Sequence, residues 1–136
     1  MVTVQFIDLS GEIHADTRGM SYFPWQGRLQ APEDLSKTFH LVSIRPGHSR
    51  GNHYHPGHAE WLYPFHGIGS LIWEVDPGQV QERLISGDST LIYIPPGIAH
   101  ALKNPGSEIL YLLAWREAVG EAAITGPETV PHRIAQ

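Results

Sequence analysis

Two histidines two positions apart, His53 and His55, lie in a segment bounded by glycine and proline. If the backbone there is extended, both side chains point to the same face, about 6–7 Å apart along the strand. Two imidazoles at that spacing can converge on one ion held roughly 2 Å from each nitrogen. Histidine also titrates near neutral pH, so the alternatives are a metal site, an acid–base site and an ordinary surface loop.

Two further side chains complete a possible ligand set. Glu60 follows a turn at the head of the next apolar segment, and a hairpin there would bring its carboxylate back toward the two histidines. His100 follows Pro95-Pro96-Gly97, which predicts a sharp reversal that aims the next residues into the interior. The sequence contains no cysteine, so nitrogen and oxygen must supply the ligands of any metal. We therefore expect three imidazoles and one carboxylate to act as a set.

Short apolar segments must position these side chains. The chain contains 14 glycines and 11 prolines, many of them in turns between such segments, and this spacing predicts an all-β sandwich or barrel. A helical turn is predicted at Ala31–Lys37. The predicted strands are Thr38–Arg45, Glu60–Phe65, Ser70–Val75, Val80–Ile85, Ser89–Ile94, His100–Lys103 and Ile109–Trp115.

The sequence resembles the cupin superfamily in two motifs. The first motif is glycine, five residues, His-x-His, three or four residues, Glu, six residues and glycine, and it is met by Gly47, His53, His55, Glu60 and Gly67. The second motif is matched by Gly87, Pro95, Gly97, His100 and Asn104. The spacer between Gly87 and Pro95 has seven residues where five is usual.

The resemblance implies a single-domain, all-β cupin jelly-roll barrel, also called a double-stranded β-helix. Residues 38–116 would form the barrel, residues 1–37 an N-terminal extension packing on it, and residues 117–136 a C-terminal arm. It also implies one divalent transition metal, such as Mn, Fe, Ni or Zn. The ligands carried over from the motifs are the same four that the spacing indicates, namely His53, His55, Glu60 and His100.

Arg50 has two interpretations. The string SRGNHYH is similar to sugar-nucleotide cupins, in which an arginine at this place binds the nucleotide phosphates. Metal-free epimerases of that group tend to carry glutamine where this chain has His55, whereas a metal-binding cupin domain of capsular-polysaccharide enzymes has a similar Arg-Gly-Asn-His-x-His run. Arg50 is therefore either a substrate-binding residue or a solvated turn residue.

The expected chemistry remains open between three classes. A redox-inert ion would suit an isomerase or epimerase acting on a carbohydrate-related or small hydroxy-carbonyl compound, with His58, Tyr63 or Tyr93 as the catalytic base. A redox-active ion would suit a dioxygenase. The third class is a non-catalytic cupin that binds or senses a small ligand. His14, His40, His48, His66 and His132 have no predicted role.

The charge and the apolar runs of the sequence limit the classes of partner and the location that we expect. The formal charge is −5, with no basic stripe, which argues against nucleic acid as a partner. The longest apolar run, Ile109–Trp115, is too short to span a membrane, and the N-terminus has no signal-peptide pattern, so we expect a cytoplasmic protein.

Alternation from Glu60 turns Trp61, Tyr63 and Phe65 away from the metal. If the chain leaves that face uncovered, it predicts a dimer surface, and we expect a homodimer with Met1–Leu9 or Glu117–Gln136 reaching across.

Overall fold

The computed structural model describes residues 3–30, 32–86, 89–120 and 126–135, most of whose regular structure is β-strand. The helical parts are 3-10 turns at Ser10–Glu12 and Pro32–Asp34 and one short helix, α1, at Leu35–Thr38. The strands are β1 (Gln5–Asp8), β2 (His14–Asp16), β3 (Gly19–Ser21), β4 (His40–Ile44), β5 (Ser49–Tyr54), β6 (His58–His66), β7 (Ile68–Asp76), β8 (Gln79–Ser86), β9 (Thr90–Ile94), β10 (His100–Lys103), β11 (Leu110–Ala118) and β12 (Val130–Pro131).

Two five-stranded sheets form the body of the molecule. The first sheet has the order β1-β9-β6-β11-β4 and the second has the order β12-β5-β10-β7-β8, while β2 and β3 form a separate hairpin. Every pairing is antiparallel. From β4 to β12, strands that follow one another along the chain, such as β5 and β6, lie in different sheets, except that β7 and β8 are neighbours in the second sheet. This arrangement confirms the predicted all-β jelly-roll barrel.

The hydrophobic core lies between the two sheets. Along β11, alternate residues Leu110, Leu112 and Ala114 are buried in it, as period-two geometry requires. Leu71 and Trp73 of β7 approach from the second sheet. Burying a side chain such as leucine stabilises the fold by about 1.5–3 kcal/mol, so this layer holds the barrel walls in a fixed position around the site.

The N-terminal segment covers the outer face of the first sheet. Trp61, Tyr63 and Trp115 are buried there against aromatic and aliphatic residues that precede β4, which are Tyr22, Trp25, Leu29 and Leu35. Glu117 ties the layers together, because its Oε1 accepts the indole N–H of Trp61 at 3.0 Å and its Oε2 accepts the backbone N–H of Gln30 at 2.8 Å. The chain itself therefore covers most of the aromatic face of β6 that was predicted as a dimer surface. Phe65 is the exception, with 39% of it exposed.

Residues 126–135 lie along the second sheet. β12 pairs with β5, and the side-chain oxygen of Asn52 accepts the backbone N–H groups of Ile134 and Ala135 at 2.9 and 2.8 Å. Ala135 packs with Ile72 and Ala101, which alternate with the core residues of β7 and β10. This part of the chain therefore covers the outer face of its own second sheet.

The observed elements differ from the predicted ones mainly at the polar segments. β10 has the predicted bounds, β6, β7 and β8 extend beyond theirs at both ends, and β11 continues past its predicted end at Trp115 to Ala118. β1, β2, β3, β5 and β12 were not predicted as strands. The hairpin expected between His55 and Glu60 does not form, because β5 and β6 belong to different sheets. Gly87 of the second motif and Ala31 of the predicted helical turn lie outside the described residues. Within the described ranges, no helix has the length and apolar character required to cross a bilayer.

Candidate metal centre

A close approach of two backbones places His53 beside His100. Gly51 has φ +95°, and a Cβ on it would lie 2.9 Å from the carbonyl oxygen of His100 and 3.1 Å from the Cα of Ala101. Only glycine accepts both the positive φ and this contact without strain. β10 can therefore pair with β5 in the register that sets His100 opposite His53. The two ring centroids are 4.9 Å apart.

The turn after β9 orients His100. The backbone N–H of Gly97 donates to the carbonyl of His55 at 2.8 Å, which joins this turn to the end of β5. The Nδ1 of His100 donates to the carbonyl of Ile98 at 2.9 Å. Its Nε2 then faces Oε1 of Glu60 at 2.9 Å. Without an ion, Nε2 can donate a hydrogen bond to that carboxylate, and an ion bound between the two atoms would replace the shared hydrogen.

Glu60 approaches from the opposite sheet. It lies on β6, is 7% exposed, and its Oε2 is 3.6 Å from Nε2 of His55. The potential ligand atoms of His53, His55, Glu60 and His100 all lie within 4.8 Å of one another. Donors placed about 2 Å from a common ion lie about 3–4 Å from one another, so the cluster fits a metal site once its side chains move inward slightly.

A backbone carbonyl also orients His55. Its Nδ1 lies 3.0 Å from the carbonyl oxygen of Glu128 and 3.1 Å from the hydroxyl of Thr129. With the hydrogen on Nδ1, Nε2 carries the lone pair, and this atom is buried without a hydrogen-bond partner. Metal-binding histidines commonly donate their second N–H to a carbonyl in this way. The residues that support His55 come from the segment just before β12.

The pKa values of two cluster members suit ligands rather than proton donors. Burial, and then the neighbouring imidazoles of His100 and His55, lowers the pKa of His53 to about 4. Burial by itself raises the pKa of Glu60, but the hydrogen bond with His100 and the nearby imidazole of His55 outweigh it and hold that pKa well below its usual range. At neutral pH, His53 is therefore neutral and Glu60 is ionised, which are the forms that bind metals.

A cavity of about 340 Å³ opens onto the cluster. His53, Glu60 and His100 lie on its wall, together with Arg50 and Arg116. The rest of the lining is His40, Leu41, Val42, Ser43, Gly51, Leu62, Leu102, Leu112 and Ala114. A larger depression of about 500 Å³ on the N-terminal segment is lined by Phe23, Trp25, Gln26, Gly27 and Leu29, none of them titratable. Of these two cavities, the 340 Å³ cavity is the one whose wall carries ionisable side chains.

The structure brings some of the predicted site residues to this cavity and not others. Arg50 lines it, and its Nε donates to the carbonyl of Ser43 at 3.0 Å. Tyr63 and Tyr93 lie on the outer face of the first sheet with Trp61. Burial, and then the charge of Glu117, raises the pKa of Tyr93. His58 begins β6 and is not among the described lining residues.

Arg116 lines the cavity although no motif in the sequence indicated it. It continues the inward alternation of Leu110, Leu112 and Ala114 along β11 and pairs in register with Glu60. The predicted strand ended one residue earlier, at Trp115. The inward alternation, continued from Ala114 to the next inward position, predicts that Arg116 points into the barrel. This alternation is the sequence signal that could have identified Arg116.

Comparison with known proteins agrees with the fold. Residues 40–116, more than half of the chain, match the cupin domain family. No curated protein matches the chain in sequence. One similar solved structure is the capsular polysaccharide assembling protein CapF from Staphylococcus aureus, with a TM-score of 0.61 and 23% identity over 71% of this chain and 26% of CapF. This chain thus spans only about a quarter of the length of CapF.

Two other solved structures match over more of their own length. The sugar 3,4-ketoisomerase QdtA from Thermoanaerobacterium thermosaccharolyticum, in complex with TDP, has a TM-score of 0.68 and 16% identity over 94% of this chain and 87% of QdtA. The 3'-monoepimerase ChmJ from Streptomyces bikiniensis has a TM-score of 0.64 and 18% identity, over 89% of this chain and 67% of ChmJ. At such identities the likeness shows a shared fold. With the domain match and both sequence motifs, it follows that this chain belongs to the cupin family.

Proposed function

We propose that the chain binds one divalent transition ion, Mn, Fe, Ni or Zn, through His53, His55, Glu60 and His100. The observation that carries this proposal is Nε2 of His55, a buried atom with no hydrogen-bond partner that lies 3.6 Å from the carboxylate of Glu60. A buried polar atom without a hydrogen-bond partner destabilises the folded state unless a bound ion or ligand interacts with it. Imidazole and carboxylate ligands suit all four of these metals, with the choice set by geometry and availability.

The cavity supports access of a ligand to the cluster. Its wall includes His53, Glu60 and His100, whereas His55 is not among the described lining residues, so a small molecule in the cavity would meet three of the four cluster members. Val42, Leu62 and Leu112 line the same space and make part of its wall apolar. We infer that the ligand has an oxygen-rich end near the cluster and an apolar portion beyond it.

We further propose an isomerase- or epimerase-like reaction on a carbohydrate-related or small hydroxy-carbonyl compound. A bound ion would supply Lewis acidity toward the carbonyl of that compound. Arg50 would hold its polar groups, and His40 would carry the proton. The Nδ1 of His40 donates to the carbonyl of Thr38 at 2.7 Å, which leaves Nε2 to accept a proton at the cavity wall. The fold likeness to QdtA and ChmJ supports a sugar ligand.

A dioxygenase is the second candidate. The aliphatic inner wall favours it, because a water-poor space suits dioxygen and an apolar ligand. Both candidates need the same metal centre, so the identity of the ion distinguishes them better than the fold does.

Elemental analysis of untagged protein tests the metal centre. We expect about one transition ion per chain, lost in His53→Ala/His55→Ala and retained in His66→Ala, which removes an exposed histidine outside the cluster. Protein that is metal-free and takes up none of the four ions, or a double variant with unchanged metal content, would contradict the proposal.

A thermal-shift screen tests the substrate class, since a ligand that binds only the folded state raises its melting temperature. Stabilisation by nucleotide sugars that is lost in Arg50→Ala supports the sugar reaction. Iron in the site together with oxygen consumption on diketones would replace it with the dioxygenase. Metal-dependent binding without turnover of any compound would leave a sensing role.

A further inference from the structure

Arg116 is a charged side chain on the inner face of the barrel. It pairs in register with Glu60, and its side chain is 22% exposed. Charged side chains are rarely this enclosed unless they are paired or used. Its neighbour Glu117 points the other way, toward the N-terminal segment, so the direction of Arg116 follows from the alternation of β11.

One edge of the Arg116 guanidinium binds the carboxylate of Glu128, which a ligand could displace. Its Nε and Nη2 lie 2.9 and 2.8 Å from the same oxygen, Oε1 of Glu128, whose side chain is 51% exposed. Its Nη1 is 3.8 Å from Oε2 of Glu60, beyond hydrogen-bond distance. A guanidinium has five N–H donors, and a carboxylate oxygen that takes two of them leaves others for a further acceptor. Because the Glu128 carboxylate is half exposed, this ion pair contributes little stability, and another anion can displace the carboxylate.

We propose that Arg116 binds an oxyanion of the ligand, a carboxylate or a phosphate, beside the metal centre, and that the Glu128 carboxylate occupies this position until the ligand arrives. The inference rests on the proposed function, because it places the oxyanion next to the ion. The planar guanidinium matches two oxygens of a carboxylate or phosphate at once. The ligand would therefore be an acidic hydroxy-carbonyl compound or a sugar that carries a phosphate.

Residue Glu128 is also connected to the metal centre through its backbone. Its carbonyl oxygen accepts the Nδ1 hydrogen of His55 at 3.0 Å, while its side chain binds Arg116. Both links come from the segment before β12, which has its own anchor where Val130 pairs with Tyr54. An arriving oxyanion therefore replaces only the side-chain link, and the backbone support of His55 remains.

Calorimetric titration of the metal-loaded protein tests this assignment. The probes are glycolate, inorganic phosphate and the neutral ethylene glycol, and the metal content of each sample is measured separately. The site variants are Arg116→Gln, Arg116→Lys and Glu128→Gln. The controls are Arg18→Gln and Glu108→Gln, which remove the same charges from exposed positions outside the cavity. Melting curves of each variant verify that it is folded.

We expect Arg116→Gln to weaken binding of glycolate or phosphate about 10- to 100-fold, because a hydrogen-bonded charge is lost. Arg116→Lys should weaken it less, and Glu128→Gln should tighten it, while ethylene glycol and both controls stay unchanged. Tighter binding of one anion than of the other identifies the oxyanion.

Equal anion binding in Arg116→Gln and the unsubstituted protein, with metal content retained, overturns the role of Arg116 and leaves the metal centre intact. The role of Arg116 is overturned in the same way if neither anion binds to metal-loaded protein. Absence of metal from the unsubstituted protein overturns the proposed function, and this inference with it.

Discussion

Gly51→Ala tests the close approach that places His100 beside His53. The added Cβ would lie 2.9 Å from the His100 carbonyl oxygen and 3.1 Å from the Cα of Ala101, both of them backbone atoms that no side-chain rotation can move. The residue would also have to adopt φ +95°. A sparsely populated backbone conformation costs about 1–3 kcal/mol. Overpacking of a rigid contact costs about 1–3 kcal/mol more. The expected loss is therefore about 2–6 kcal/mol.

Urea unfolding of metal-free protein measures this loss. With a slope of about 2 kcal/mol per molar urea, the midpoint should fall by about 1–3 M while the slope stays constant. The matched control is Gly78→Ala, since Gly78 has φ +77° but nothing lies within 4 Å of the position that an added Cβ would take. That control should show the backbone cost alone. We also expect Gly51→Ala, and not Gly78→Ala, to bind less metal, because the contact pushes the strand that carries His100 away from His53.

Equal midpoints for the two variants, together with equal metal content, would refute this reasoning. The register of β5 and β10 would then tolerate the extra methyl group, and the position of His100 would have to depend on the turn before it.

Other predictions follow from the same contacts. Removal of the ion with a chelator should lower the melting temperature, since an ion at 100 times its Kd adds about 2.7 kcal/mol of stability. Asn104→Ala should cost about 2–3 kcal/mol in urea unfolding, because its buried amide donates to the carbonyls of Ile44 and Glu108, each at 2.8 Å. The pKa of His53, lowered from 6.5 to about 4, implies that the unfolded state binds its proton first, so metal-free protein should lose stability as pH falls from 6.5 to 4, and less so in His53→Gln. We still expect a homodimer by light scattering, because β4 and β8 stand at the edges of the two sheets, where a second copy can pair; a monomer mass that persists with rising concentration would count against it.

The barrel was predictable because its strands follow simple patterns. Apolar segments with glycine and proline turns indicated β6, β7, β9 and β11, and the two motifs indicated the cupin fold, which is confirmed. β5 was harder to predict, because Ser49–Tyr54 is polar and contains Gly51. Its strand conformation depends on pairing with β10, a contact made far along the chain. The division into residues 1–37, 38–116 and 117–136 stays a prediction.

The candidate site was predictable where residues form motifs and unpredictable where tertiary contacts decide. His53, His55, Glu60 and His100 meet in the structure, while their role as metal ligands stays a prediction. The strand pairing that brings Glu60 to the histidines differs from the prediction, because Glu60 lies on the opposite sheet and not in a hairpin with His55. The support of His55 by Glu128 has no sequence signal, because it uses a backbone carbonyl brought in by the pairing of β12.

The pairing of both chain ends with distant strands has a consequence for how the molecule forms. β1 pairs with β9, and β12 pairs with β5, so neither sheet is complete until most of the polypeptide has been synthesised. Folds dominated by such non-local pairings form slowly, because long loops must close before the contacts that stabilise them. On the ribosome, His53, His55 and Glu60 emerge well before His100 and before the segment that supports His55. The four potential metal ligands therefore come together late in folding.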